Sequence, residues 1–319
     1  MNASKLREYA FELGFAEVGF CSTEAFVEQR QYVQMQPTLK ERNQLRYSPQ
    51  EDEPNAKSLA ILLWPYSPSP LPQGDQVFID NYYAASNAAY HAARKLEERL
   101  MREGFYAHAN VSYPAKTAAV RAGLGIIGKN SLLITKTYGT RVVIILMSTD
   151  ISPEAEEPHD AQHTSCLECG RCQAVCPVGA IDENGMSKPE RCLRNYMMEG
   201  VVVPKSVREK FSMNMLGCDL CQRVCPMQTE QVEEKEAFHF KLQDFMKANE
   251  EDFSLSVTRL AEIVGKNTAR PQRIRAQAAI LAGNSKEKIY LPVLQKWEKM
   301  PFQAVSEHAR WAIQRIEET

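Results

Sequence analysis

Leu6, Tyr9, Ala10, Leu13 and Phe15 recur at helical spacing near the start of the chain, and Gly14 supplies a stop. The stretch "AEVGF" then runs extended, so residues 1–20 predict a helix followed by a strand. Residues 22–56 are polar and read as helical or irregular. Two apolar runs, "KSLAILLWPY" (57–66) and "RVVIILMSTD" (141–150), predict buried strands. Between them, "SPSPLPQGD" (67–75) reads as a loop. The alanine-rich stretch 84–104 predicts a helix with Gly104 at its C-terminal end. "YAHANVSY" predicts a further strand, and Pro114 opens a helix that Gly123 closes. Strands and helices mixed in this way predict an α+β fold, with an α/β sandwich over residues 1–160.

The pattern changes after residue 150. "DISPEAEEPHDAQH" is acidic and contains proline, which marks a linker, and "TEQVEEKEAFHF" (229–240) is a second acidic connector. Between them lies a cysteine-rich module at 161–230. From 231 to 319 the pattern is helical: "RPQRIRAQAAILAGN" and "VSEHARWAIQRIEE" each carry an apolar stripe, in the manner of a small HEAT-like repeat unit. Two helix pairs are too few to stand alone, so this segment is expected to pack on the rest.

Composition narrows the class of protein. Apolar residues make up 44% of the 319 and charged residues 24%, as in globular proteins, and a net charge of −2 gives no overall pull toward nucleic acid or membrane. No run approaches the ~18 apolar residues of a membrane span. The first twenty residues carry charges throughout and do not read as a signal peptide. A cytoplasmic protein with no membrane partner is expected.

Cysteine carries most of the chemistry. Eight of the nine lie between Cys166 and Cys225, and only Cys21, read as a small buried apolar residue, lies outside. A reducing compartment disfavours disulfides, and metal or cluster binding explains the clustering better. "CLECGRCQAVCP" matches the run C-x2-C-x2-C-x3-C-P, in which the fourth cysteine, followed by proline, ligates the other of two clusters. "GCDLCQRVCP" supplies a second, shorter run, and Cys192 fills its vacancy from upstream. The count then closes on two [4Fe–4S] clusters. Cluster one takes Cys166, Cys169, Cys172 and, crossing over, Cys225. Cluster two takes Cys192, Cys218, Cys221 and, crossing over, Cys176. Two zinc sites of four cysteines each would also need eight, but zinc spacing does not account for the repeated C-x3-C-P ending.

Ahead of the module stands "AGLGIIGKNSLLITKTYGTRVVIILMSTD" (122–150). Its glycines allow backbone to approach a flat ligand. A helix rather than a strand precedes them, so the dinucleotide fingerprint is not met and a plain helix-to-strand turn serves the pattern equally. Taken with "ELGFAEVGF", "AKSLAILLWPY", "GCDLCQRVCP" and "RIRAQAAILAGN…HARWAIQRI", this turn makes the chain resemble the epoxyqueuosine reductase family. Reductive dehalogenases are a more distant similarity.

The resemblance implies a base-off cobalamin between the sandwich and the cluster module, reduced by the clusters and acting on epoxyqueuosine in a tRNA anticodon loop. It implies that Lys129, Asn130, Ser131 and Leu133 line the corrin and that the loop at Cys218 and Asp219 brings cluster two beside it. It further implies an electron donor such as flavodoxin or ferredoxin, and a monomer. One departure stands out. Where the family has an aspartate as proton donor in "D-[ST]-[AG]-P", this chain reads "VSYP", with Val111 at the acid position. Tyr113 is the nearest substitute, since a phenol stays protonated at neutral pH. Tyr90 and His91, in "AAYHAARKL", resemble the family's "DYH" and are further candidates. Residues 251–319 carry eleven Lys/Arg against eight Asp/Glu, and Lys266, Arg270, Arg273 and Arg275 could form a phosphate-binding face. The missing aspartate also leaves open a reductase of the same architecture acting on a small molecule, and a non-catalytic ferredoxin-like electron carrier.

Overall fold

A computed structural model describes residues 3–34, 46–152, 165–182, 188–228 and 239–318. The acidic connectors predicted from the sequence lie mostly outside these residues. No helix among the described residues is long and apolar enough to cross a membrane.

The first element is α1 (Ala3–Glu12), followed by β1 (Glu17–Cys21) and α2 (Val27–Gln34). The two apolar runs form β2 (Ser58–Pro65) and β7 (Val142–Thr149). Between them come β3 (Phe78–Ile79), α3 (Asn81–Arg102), β4 (Ala107–Ala109), α4 (Ala115–Arg121), β5 (Ile126–Ile127) and β6 (Leu133–Ile134). Strands β1, β2, β7 and β4 make one sheet in the order β1-β2-β7-β4, and every pairing in it is antiparallel. The strand predicted over "YAHANVSY" is cut to three residues because Asn110 takes a left-handed φ of 60° and turns the chain out of the sheet.

Alternation along β2 and β7 sorts side chains onto two faces. Ala60, Leu62, Val143, Ile145 and Met147 face one way and pack against α1 and α3 through Leu6, Ala10, Ala89, Ala93 and Leu96. Leu59, Ile61, Leu63 and Leu146 face the other way, against Ala118 and Ala119 of α4, Phe26 and Tyr113. The sheet is thus covered on both faces, which is why its central strands read as continuous apolar runs instead of alternating ones. Asp80 starts α3 by accepting a hydrogen bond from the Tyr82 N–H at 3.0 Å.

Beyond the sandwich the main helices are α5 (Arg171–Val175), α6 (Leu193–Glu199), α7 (Leu220–Arg223), α8 (Glu250–Val264), α9 (Pro271–Ser285), α10 (Leu291–Trp297) and α11 (Gln303–Glu317), joined by shorter helical turns and one strand, β8 (Asn214–Leu216). Strand β8 pairs in parallel with β3, joining the cysteine-rich segment to the loop ahead of α3. A single core then runs from Val77, Ile79 and Tyr83 through Leu193, Met197, Phe211 and Leu216 into α8–α11. Helix α9 lies at its centre, and Ile274 through Gly283 are all buried. His308 of α11 ties the parts together: its Nε2 accepts from the Val203 N–H, and its Nδ1–H donates to the Ala276 carbonyl, both at 2.9 Å.

Candidate functional site

All nine cysteines are free thiols. Cys172 lies within electrostatic reach of Cys166 and Cys169, and Cys225 lies within reach of the same two. These four line one cavity with Gly128, Lys129 and Asn130 of the glycine turn. Cys218 lies within reach of Cys192 and Cys176, and Cys221 within reach of Cys218, Cys192 and Cys176. The structure therefore brings together the two sets of four drawn from the spacing, with Cys176 and Cys225 each leaving its own run for the other set. Cys221 also feels Cys172, so the two sets are neighbours.

The donors suit clusters rather than single ions. Among the described residues no three His, Cys, Asp or Glu side chains come close enough to share one metal ion. Cys176 Sγ accepts a hydrogen bond from the Ala180 N–H at 3.2 Å, the kind of backbone-to-sulfur bond that tunes a cluster. Burial pushes the Cys218 thiol up to about 11, so loading a cluster must displace protons from these sulfurs.

The second set is built into the junction with the sandwich. Gln222 of α7 accepts from Tyr66 Oη at 3.1 Å and from Thr140 Oγ1 at 3.2 Å. Gln228 Nε2 donates to Thr140 Oγ1 at 2.5 Å and to the Gln222 carbonyl at 3.0 Å. Arg223 holds Asp219 at 2.7 Å and also donates to the Ser69 carbonyl. Asp219 is buried with Arg223 as its ion-pair partner. Asp80, buried nearby, is pushed up to about 6, first by burial and then by the charge of Asp219.

Beside this set stand two exposed cations, Lys116 and Arg194. Arg194 lies over Tyr82 at 4.7 Å and Tyr83 at 5.5 Å. Lys116 Nζ donates to the Ser131 carbonyl at 2.5 Å and lies within electrostatic reach of Cys192 and Cys221. Cations, a hydroxyl and aromatic faces fit a large, amide-rich ligand such as cobalamin. Motif spacing did not point to Lys116, Arg194, Tyr66, Tyr82 or Gln222. The one legible signal was the Asp80 helix cap followed closely by a tyrosine pair.

The expected cofactor residues divide. Lys129 and Asn130 belong to the cavity of the first set, where Lys129 approaches Glu168 at 3.7 Å. Asn130 Oδ1 accepts from the Leu132 N–H, and Ser131, with a left-handed φ of 57°, turns its carbonyl toward the second set through Lys116. Leu133 is 3% exposed and packs in the core beneath α4. A Cβ on Gly125 would collide with the Ile134 carbonyl, so the turn can close only with glycine there.

The acid candidates do not converge. Tyr113 is 2% exposed, its ring packed against Phe26 and under Arg46, and its hydroxyl is buried without a partner. Burial raises its pKa well above the phenol range. It is a core residue with no open path to a ligand. Val111 is buried beside it. Tyr90 and His91 stack edge to face on the exposed side of α3, with the sheet between them and Tyr113. On the tail, Lys266 and Arg270 are exposed, and Arg270 and Arg273 line one groove of about 830 Å³ with Val201 and Phe302. Arg275 does not belong with them. It is buried, chelated by both Glu250 oxygens at 2.8 Å and stacked on Phe253 at 3.9 Å, so no phosphate reaches it.

Comparison with known proteins places this geometry. Residues 165–228 match the family of 4Fe-4S double cluster binding domains. An epoxyqueuosine reductase from Lactococcus garvieae is 39% identical over 108 residues, 34% of this chain and 30% of that protein. One from Aliivibrio fischeri is 29% identical over 264 residues, 74% of this chain and 70% of that protein. The matched segment thus spans under a third of the first relative's length. In fold, the chain aligns with an epoxyqueuosine reductase solved with a tRNA-Tyr epoxyqueuosine-modified stem loop, at a TM-score of 0.79 and 22% identity, over 98% of this chain and 89% of that one. In sequence and in fold the chain resembles the epoxyqueuosine reductases, and residues 165–228 carry their double 4Fe–4S cluster domain.

Proposed function

We propose that this chain is a cytoplasmic, monomeric oxidoreductase that uses two [4Fe–4S] clusters and base-off cobalamin to reduce epoxyqueuosine to queuosine in a tRNA anticodon loop. The observation that carries this reading is the gathering of eight cysteines into two neighbouring sets of four, one of them lining a cavity with Gly128, Lys129 and Asn130 of the glycine turn. Residues 1–160 bind cofactor and substrate, 161–230 hold the clusters, and the HEAT-like helices of 231–319 present Lys266, Arg270 and Arg273 to RNA. A flavodoxin or ferredoxin supplies electrons one at a time.

Turning an epoxide into an alkene consumes two electrons and two protons and releases water. Bound clusters and cobalamin would supply the electrons at a low-potential cobalt centre. The chain itself fixes the site. Gln222, Tyr66 and Thr140 lock the second cysteine run to the sandwich, Lys116 ties to the Ser131 carbonyl of the glycine turn, and Tyr82 and Arg194 offer a flat cationic face. The protein should be reconstituted anaerobically, assayed for iron and corrinoid, and incubated with an epoxyqueuosine-containing stem loop and a reductant. Conversion to queuosine is the expected result.

One observation favours a second reading. The loop that should carry the acid presents Val111 and a fully buried Tyr113 instead. A small-molecule reductase of the same architecture would load clusters and corrinoid yet leave the stem loop unchanged. Loading of clusters without any corrinoid would leave only an electron carrier.

A further inference from the structure

Val201 and Phe302 are exposed apolar residues on the groove of about 830 Å³ that Arg270 and Arg273 also line. The groove lies at the seam between the cysteine-rich segment, which supplies residues 200–202, and the starts of α9 and α11. Its walls are fixed. The Val203 N–H donates to His308, and the Val203 carbonyl accepts from Arg208 Nε at 2.8 Å, which anchors the chain behind Val201. Arg273 Nη1 donates to the Asn267 and Thr268 carbonyls at 2.8 and 2.9 Å, which sets its guanidinium in place. Arg270 is exposed, and no carboxylate among the described residues lines the groove to offset the two cations. Arg270 and Phe302 occupy the N-cap positions of α9 and α11, and neither side chain caps its helix. The first-turn N–H groups of two 15-residue helices are therefore left to the same groove.

Two guanidiniums and two helix ends favour an anion, and an exposed ring favours a flat partner. At this volume the groove has the size of a small-molecule pocket, well beyond a hole for a single small anion. A phosphate joined to a base meets all three conditions. We infer that the groove seats an unpaired nucleotide of RNA, its phosphate against Arg270, Arg273 and the two helix ends and its base stacked on Phe302. A paired base keeps its faces inside the duplex and has none to offer Phe302, so the groove selects unpaired strands. This inference rests on the function proposed above in taking RNA as the substrate, and adds which form of the strand this face binds.

The test uses the full chain with its clusters reconstituted, as wild type, Phe302→Leu, Phe302→Trp and Arg270→Ala. Dissociation constants are measured by fluorescence anisotropy for a tRNA anticodon stem loop and for the same stem closed as a blunt duplex, at several salt concentrations. Wild type should bind the stem loop more tightly than the duplex. Phe302→Leu, which keeps an apolar side chain and loses the ring, should weaken the stem loop about five-fold or more, leave the duplex unchanged and keep the salt slope. Phe302→Trp should restore binding. Arg270→Ala should weaken the stem loop with a salt slope shallower by about one. Unchanged stem-loop affinity in Phe302→Leu would overturn the subsite and leave the RNA reading standing. So would an equal loss for stem loop and duplex, which would mark a change of shape alone. A wild type that binds neither RNA removes the RNA reading itself, and the subsite with it.

Discussion

A Cβ atom placed on Gly217 would stand 2.5 Å from the Cβ of Asp80. Gly217 also has φ +88°, so the chain passes the start of α3 at a point where no side chain fits and few residues could adopt the backbone. The next residue is Cys218, and Asp80 is the cap of α3. The placement of Cys218 therefore depends on the start of a helix far away in sequence. Gly217→Ala must push the two apart, and the second cysteine set should open while the first stays intact. Iron after anaerobic reconstitution should fall from about eight toward about four atoms per chain. An unchanged iron content would show that the loop tolerates the shift.

Two arginines five residues apart should behave as different kinds of residue. Arg275→Met removes the stack on Phe253 and the chelation by Glu250, and should cost about 1–3 kcal/mol of stability in denaturant titrations. Most of that loss comes from packing, because Glu250 is itself largely exposed. Arg270→Ala should leave stability within about 0.5 kcal/mol and lower affinity for a stem loop, with a salt slope shallower by about one.

His308 sets a pH limit on the tail. Burial lowers its pKa to about 4, against an ordinary value of 6.5. Between those values the unfolded chain takes up a proton that the folded one refuses, so stability falls as pH drops from about 6.5 to 4. The loss is about 3 kcal/mol across the window. His308→Gln should be less stable at pH 8 and show a flatter pH profile in this range. A parallel profile for the two proteins would refute the assignment.

Tyr113→Phe separates a core role from an acid role. The hydroxyl is buried and unpaired, so its removal should leave stability unchanged or raise it by up to about 1 kcal/mol. Turnover should be unaffected. A loss of turnover of ten-fold or more at unchanged stability would return Tyr113 to the chemistry.

Much of the sandwich was legible because its signal is local. The runs around Ile61 and Ile145 are buried on both faces of a sheet and read as strands whatever their partners. The antiparallel order β1-β2-β7-β4 was not legible, since the pairing of β2 with β7 is decided by contacts between residues far apart in the chain. The gathering of the cysteines into two neighbouring sets was legible in their spacing and in the proline after each last thiol. The stacking of Arg194 on Tyr82 and the hold of Lys116 on the Ser131 carbonyl were not, because each joins residues whose nearness is set by the fold and not by local spacing. Leu133 misled through its neighbours, since a strand that follows a ligand-facing turn alternates back into the core. Arg275 misled through its clustering, because sequence proximity on a helix does not set which side of it is covered.

The core around α9 receives side chains from the cysteine-rich segment and from the terminal helices alike. Leu193 and Met197, one and five residues after Cys192, are packed into it. Oxygen damage at the sulfurs would therefore loosen helices that hold no cofactor at all. A damaged molecule would expose its tail to proteases, so that the cell could clear it by the same route it uses for unfolded chains.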